Sequence, residues 1–293
     1  DWVSYRISAV SHADVPATYS GGWWDPLAPA TTAYYAHMSR QNKTPQRLVM
    51  GPWTHMGMRT ELSYAAEVDF GPASVWGPGR LYEEQARWFD RWLRDDETGV
   101  EDEPPVRIFV MGGGSGRRLA NGRLDHGGRW RSEGEWPLAR ANYTKYYLQP
   151  AGGLRTDAPP ADGAPASYTY DPAHPVPTIS AAVTGFFEIA PLGDVLDPFW
   201  VKYLPPWSIM RQIVQDGPTD QRARPGIVAA EPPYLPLASR PDVLVFETEP
   251  LEEALEVTGE VVVKLWISSS APDTDFTAKL VDVYPSNEDY PAG

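Results

Sequence analysis

The chain has 293 residues, no cysteine and a formal charge of −14, from 25 basic and 39 acidic side chains. That length suits two domains, the acidic balance opposes nucleic acid and anionic membranes as partners, and the missing cysteines exclude disulfides and thiolate metal sites. Its 31 prolines and 25 glycines favour short strands and turns, while 12 tryptophans and 15 tyrosines supply ample core.

Residues 1–13 carry Trp2, Tyr5, Ile7 and Val10 at a spacing that fits the tail of a helix feeding a strand. Residues 15–24 read as that strand; it ends in Gly21-Gly-Trp-Trp and is followed at once by Asp25. Residues 30–41 are long enough for about three helical turns. A second strand-like run, residues 46–54, ends in Gly51-Pro-Trp-Thr and is followed by His55. Strand, helix, strand is the βαβ unit, whose crossover lays its two strands side by side and parallel. Sites in such sheets form outside the carboxyl ends of the strands, so Asp25 and His55 are expected on one edge. A carboxylate that accepts a bond from one imidazole nitrogen fixes the tautomer and stabilises the imidazolium formed in general-base catalysis. Taken singly, an aspartate before a proline is more often a turn residue, and a lone histidine after a tryptophan is more often a satisfied one. The paired placement favours the chemical reading.

After His55 a passage rich in Gly and Pro breaks regular structure. Residues 80–94 then show the clearest helical period in the chain. Leu81, Tyr82, Gln85, Trp88, Phe89, Trp92 and Leu93 share one face, Glu83 and Glu84 lie in the first turn, and Arg91 and Arg94 in the last. This stripe reads as core. Residues 95–105 are acidic, end in Glu103-Pro-Pro and read as a linker. Beyond it, residues 106–111, 143–148, 167–170, 243–246, 260–268 and 276–284 are strand-like, with turn residues between them. Many short strands without intervening helices indicate an all-β sandwich. Residues 178–221 fit no simple pattern and read as an insertion, with a short helix near 207–214.

At these residues the chain resembles the CocE/NonD-type serine hydrolases, a family that includes cocaine esterase, α-amino acid ester hydrolases and X-Pro dipeptidyl-peptidases. Gly21-Gly-Trp-Trp-Asp25 and Leu48-Val-Met-Gly-Pro-Trp-Thr-His55 look like its acid and histidine motifs. The likeness continues through Pro105-Val-Arg-Ile-Phe-Val-Met-Gly112, Thr169-Tyr-Asp-Pro-Ala-His-Pro-Val-Pro-Thr178, Asp220-Gln-Arg222, Asp242-Val-Leu-Val-Phe246 and residues 271–285. It implies an α/β plus all-β fold: residues 1–100 as the C-terminal part of an α/β-hydrolase sheet, and residues 101–293 as a jelly-roll β-sandwich, truncated at its end. It implies that Asp25 and His55 are the acid and base of a Ser-His-Asp triad acting on esters or amides, acyl or X-Pro dipeptidyl. The implied partner is a small-molecule ester or short peptide, and no metal or organic cofactor is required.

No Gly-x-Ser-x-Gly nucleophile elbow occurs in the chain. The nearest run, Gly112-Gly-Gly-Ser115-Gly-Arg117, lacks the last glycine and reads as a flexible turn. In the family the nucleophile precedes the acid, so the chain is expected to be a fragment that begins just after it and is inactive alone. The competing reading is a non-catalytic carbohydrate- or protein-binding sandwich. His12, His37, His126 and His174 have no metal-site spacing, and His37 is expected at the surface. Asp273 and Asp275 read as turn residues, and Trp23, Trp24 and Trp53 as a wall shielding the pair. No apolar run approaches the roughly 20 residues needed to span a bilayer, so a soluble chain is expected, with the cytoplasm favoured.

Overall fold

A computed structural model describes residues 14–54, 60–77, 79–160, 162–179, 217–227 and 229–291. The helix tail expected within residues 1–13 and the short helix expected near 207–214 lie outside them. In chain order come β1 (Ala17–Trp24), α1 (Ala28–Gln41), β2 (Gln46–Thr54), β3 (Tyr64–Ala65), β4 (Val68–Asp69) and α2 (Arg80–Arg94). Then come β5 (Val106–Met111), β6 (Leu124–Asp125), β7 (Gly128–Glu133), β8 (Tyr147–Leu148) and β9 (Leu154–Arg155).

The expected βαβ unit forms. β1 and β2 pair in parallel from Ala17↔Gln46 onward, with α1 as the crossover. Asp14 Oδ1 closes the loop from α1 into β2, accepting from the Lys43 and Thr44 amides at 3.1 Å each and from the Thr44 hydroxyl at 2.8 Å. β5 adds in parallel to the far side of β2, and β7 adds antiparallel to β5, giving the order β1-β2-β5-β7. The run at 106–111, read from sequence as a sandwich strand, therefore belongs to the same sheet as β1 and β2.

β2 lies at the centre, and period-two alternation sends its side chains to two different layers. Leu48 and Met50 pack with Val106 and Ile108 against Tyr35 and Ala36 of α1 and against Trp136 and Leu138. Val49 and Trp53 face the other way, onto Trp76, Leu81 and Trp130. Arg47 is also on this second face, buried, and its guanidinium meets Glu84 of α2 at 3.1 Å and Glu103 at 2.6 Å. Arg87 reaches the same Glu103 at 2.7 Å, so one ionic cluster fastens α2 and the segment after it to β2.

The helix expected at 80–94 has those bounds, but its apolar stripe is only partly buried. Trp88 is buried, whereas Tyr82, Phe89 and Leu93 are 71%, 53% and 78% exposed. At about 100° per residue, positions 82, 89 and 93 fall roughly a quarter-turn from the line through 81, 85, 88 and 92. Only the latter line faces the sheet.

The later chain departs most from expectation. No jelly roll is assembled among the described residues: 167–170, 243–246, 260–268 and 276–284 contribute no strand. Val261, Val262, Val263, Leu265 and Ile267 are exposed, and Trp266 is fully so. β-Propensity describes how well a side chain fits a half-buried pleated surface. These runs have that composition but no ladder partner among the described residues. What order exists here is local: β8 pairs with β9, Gly153 bridges to Glu247, and Arg222 bridges to Pro236. No helix among the described residues is long and apolar enough to cross a membrane.

Leu48, 0% exposed at the sheet centre, sets a test of this packing. Leu48→Ala should lower the urea-unfolding free energy by about 2–5 kcal/mol. Leu251→Ala, at a site 59% exposed, should stay within about 0.5 kcal/mol of the parent.

Candidate active site

The carboxyl ends of β1 and β2 are built from glycine and tryptophan. Trp23 turns to the α1 face, where its indole packs on Trp136 at 5.7 Å and its Nε1–H donates to the Phe109 carbonyl at 2.8 Å. Trp24 turns to the opposite face and joins Phe70 and Phe109. Trp53 is 3% exposed and packs against Trp76 and Trp130, with ring centroids 5.3 and 5.6 Å away. Arg107 lays its guanidinium over Trp76 at 5.1 Å and Trp130 at 5.5 Å, and Arg80 caps Trp76 at 5.3 Å. Burial, and then the charge of Arg80, push the Arg107 guanidinium below its usual value. Each of the three tryptophans singled out in the sequence is thus a packing residue at the end of a strand.

Asp25 comes directly after β1. Its amide donates to the Gly22 carbonyl at 3.1 Å, its Oδ1 accepts from the Leu27 amide at 2.7 Å, and its carbonyl accepts from Ala28 at 2.9 Å. The side chain therefore serves as the turn residue that leads into α1, as the bland sequence reading expected. His55 is in residues 55–59, outside the described residues. A carboxylate that orients an imidazole lies about 3 Å from its nitrogen, and that distance between Asp25 and His55 falls outside the described residues too. The last described pair of the two strands is Trp24↔Thr54. Asp25 and His55 are the residues next in sequence.

Ser115 is no nucleophile elbow. Its hydroxyl donates to Asp125 Oδ2 at 2.7 Å, its amide donates to the same oxygen at 3.0 Å, and its Oγ accepts from the Arg117 amide at 3.3 Å. Gly112, Gly113 and Gly116 have φ of 104°, 87° and 66°, so the segment is a glycine-shaped loop between β5 and β6 rather than a strand-to-helix turn. The Asp125 carboxyl is held below its usual range, first by the Ser115 hydroxyl.

The lesser histidines are dispersed. His37, expected at the surface, is half-buried on α1, and its Nε2 has no hydrogen-bond partner. His174 Nδ1 meets Asp171 Oδ2 at 2.8 Å in the exposed Tyr170-Asp-Pro-Ala-His turn; Arg240 donates to the His174 carbonyl at 2.7 Å and pairs with Asp242 at 2.7 Å. His126 Nδ1 meets the Tyr284 hydroxyl, and its ring lies edge-on to Phe70 at 5.9 Å. Among the described residues no group of three or more His, Cys, Asp or Glu side chains is arranged to hold a metal ion. Asp273 and Asp275 are exposed.

Comparison with known proteins shows the family. The family profile described as the X-Pro dipeptidyl-peptidase C-terminal non-catalytic domain matches residues 98–291. The chain belongs to the CocE/NonD and X-Pro dipeptidyl-peptidase family. The profile of the X-Pro dipeptidyl-peptidase S15 family itself matches residues 1–57, a span that holds both Asp25 and His55. Cocaine esterase of Rhodococcus sp. (strain MB1 Bresler) is 32% identical over 278 residues, covering 92% of this chain and 38% of that protein. An inferred serine esterase of Mycobacterium bovis is 28% identical over 282 residues, covering 92% of this chain and 33% of its own length. The chain thus spans about a third of the length of these relatives. A CocE/NonD family hydrolase of Staphylococcus aureus aligns over 50% of this chain and 22% of its own at 16% identity, with a TM-score of 0.33.

Within this CocE/NonD chain, burial lowers the His126 pKa from its ordinary 6.5. Above 6.5 the folded and unfolded chains both leave this imidazole neutral. As pH falls below 6.5 the unfolded chain takes the proton first, so stability is lost on acidification. The exposed His174–Asp171 pair has the opposite sign, but solvent screens it. Urea-unfolding free energies should therefore decline as pH falls from about 6.5 to about 5, and His126→Gln should flatten that slope.

Proposed function

We propose that this chain supplies the general base, His55, and its orienting acid, Asp25, to a serine hydrolase of esters or amides. The observation that carries the reading is the strand register. Trp24 and Thr54 are the last pair of two parallel strands at the carboxyl edge, where α/β sheets hold their sites, and the residues next in sequence are Asp25 and His55. The relationship to serine esterases supports the reaction class, and the S15 match over residues 1–57 supports assigning the chemistry to this end. The non-catalytic description of the profile over residues 98–291 agrees with a supporting role for the later chain, which we assign to the family's jelly roll with a division near residue 100.

In this mechanism a serine outside residues 1–293 attacks the substrate carbonyl. His55 takes the hydroxyl proton and returns it to the leaving group, while Asp25 accepts from the other imidazole nitrogen and stabilises the imidazolium. The Leu27 amide on Asp25 Oδ1 would fix the orientation of that carboxylate. The substrate class is a small ester or a short peptide, and no step calls for a cofactor.

Reading the gene upstream of Asp1 should find Gly-x-Ser-x-Gly. The chain alone should not be labelled by a fluorophosphonate, at Ser115 or elsewhere, and stoichiometric labelling would overturn the assignment. In the whole gene product, His55→Ala should lower kcat by several powers of ten, because triad members act as a unit. Asp25→Asn should cost about 10⁴, as in the protease triad, by favouring the wrong tautomer. His174→Ala and Asp273→Ala should match the parent. A folded Asp25→Asn enzyme with most of its activity would require another acid.

A further inference from the structure

Between the sheet and α2 lies a cavity of about 10 Å³, whose polar lining is Thr18 and Ser20 of β1, Arg47 of β2, Trp76, and Glu84 and Gln85 of α2. Thr18 pairs with Arg47 and Ser20 with Val49, so both hydroxyls belong to the face from which Arg47 meets α2. The volume is the scale of a single water-sized group and leaves no room for a larger polyatomic one.

Two of the lining groups are donors in want of an acceptor. Arg47 Nε and Trp76 Nε1 are shut off from solvent, and neither has a hydrogen-bond partner among the described residues. The residues that carry them are each 6% exposed. Guanidinium and indole nitrogens donate and never accept. A buried donor left unpaired bears its full desolvation penalty, so an acceptor in this cavity would be strongly favoured.

The charge around the cavity has a matching sign. Arg47, Arg80, Arg87 and Arg107 gather about two carboxylates, Glu84 and Glu103. Glu84, the carboxylate that lines the cavity, is already engaged by Arg47 at 3.1 Å, Arg87 at 3.6 Å and Arg80 at 3.8 Å. Arg107 lies partly buried over the Trp76 ring at 5.1 Å and makes no ion pair among the described residues. A water would satisfy the two donors and leave the excess positive charge in place. An anion satisfies the donors and offsets the charge.

We propose that this cavity binds one monovalent, monatomic anion of the halide class, held by Arg47 Nε and Trp76 Nε1 between β1, β2 and α2. The bound anion clamps α2 to the sheet, and the inference does not rest on the acid–base assignment above.

Two readouts on this chain test it. At constant ionic strength, replacing sodium gluconate by sodium chloride or bromide should raise Tm along a saturable curve, because a ligand of the folded state stabilises it by mass action. With ¹⁵N-labelled tryptophan, one indole N–H resonance should move with the same saturation, should be the one lost in Trp76→Phe, and should not move with sulfate or phosphate. Trp76→Phe keeps a ring in place and removes the donor, so the half-saturating bromide concentration should rise about ten- to a hundredfold. Should that variant fail to fold, Thr18→Val, which removes a lining hydroxyl and keeps the side-chain shape, should raise it about tenfold. Leu251→Ala, at an exposed site far along the chain, should keep the parent value. Equal Tm in gluconate, chloride and bromide would show that the cavity takes water only and would overturn the proposal. A halide response that is unchanged in Trp76→Phe and in Thr18→Val would place the anion elsewhere and overturn it as well.

Discussion

β2 is the strand on which everything else here is hung, and the constraint it obeys is burial from every side. It pairs with β1 on one edge and β5 on the other, α1 covers one face, and α2 with the tryptophan cluster covers the second. A strand so enclosed reads as a near-continuous apolar run. Leu48, Val49 and Met50 meet that demand, and Gln46 and Arg47 are the polar exceptions, Arg47 the charged one. Its charge is tolerated because Glu84 and Glu103 approach it directly, and a buried cation without such partners would cost several kcal/mol. That ion cluster also ties α2 to the sheet, so the outer layer is fixed in place by the one charged residue within this buried stretch.

Glycine and tryptophan at the strand ends answer the same enclosure. Where β1 and β2 leave the sheet, the chain has to change direction without exposing backbone. Gly22 and Gly51 let the Trp53 backbone and ring approach closely, while Trp23, Trp24 and Trp53 fill the layers on either side. A tightly packed base beneath the couple we propose would limit how far its members can drift, which is what orientation in general-base catalysis needs. Arg107 and Arg80 over the tryptophan rings add cation–π contacts, and they concentrate positive charge on the same face.

The later chain is held by a different kind of interaction. Residues near the C-terminal end fasten onto the loop between β5 and β6 and the turn after β6 through polar contacts: Arg117 meets Asp289 at 2.6 Å, Asn287 donates to the Gly116 carbonyl at 3.2 Å, and Tyr284 meets His126. Arg131 forms a two-bond pair with Glu256 at 2.7 and 2.8 Å, which holds the Glu256 carboxyl down to about 2. Each of these contacts joins residues more than 100 apart in sequence, so tertiary placement, not local propensity, makes them. The valine-rich runs between them bury little, because apolar side chains stabilise a sheet only when a second layer removes them from water.

Local chemistry made a definite part of this protein legible in its sequence. The βαβ unit, the bounds of α2 and the placement of Asp25 just past the end of β1 could all be read, because periodicity and chain length suffice to specify adjacent elements. The glycines before Trp23 and Trp53 were visible as well, and a glycine inside a strand pattern does signal a bulge or a close approach. Which of those it was depended on the register of two strands joined through a helix, and register is a relation between strands that neither carries alone. The same holds for Arg107, whose stacking on Trp76 and Trp130 required the segment before α2, β5 and β7 to converge. It holds for α2, whose broad apolar stripe was evident while the choice of the Trp88 line over the Phe89 line waited on the sheet it met. Sequence determined which residues can be buried or reactive; tertiary structure decided which of them meet, because burial and pairing need a partner from elsewhere in the chain.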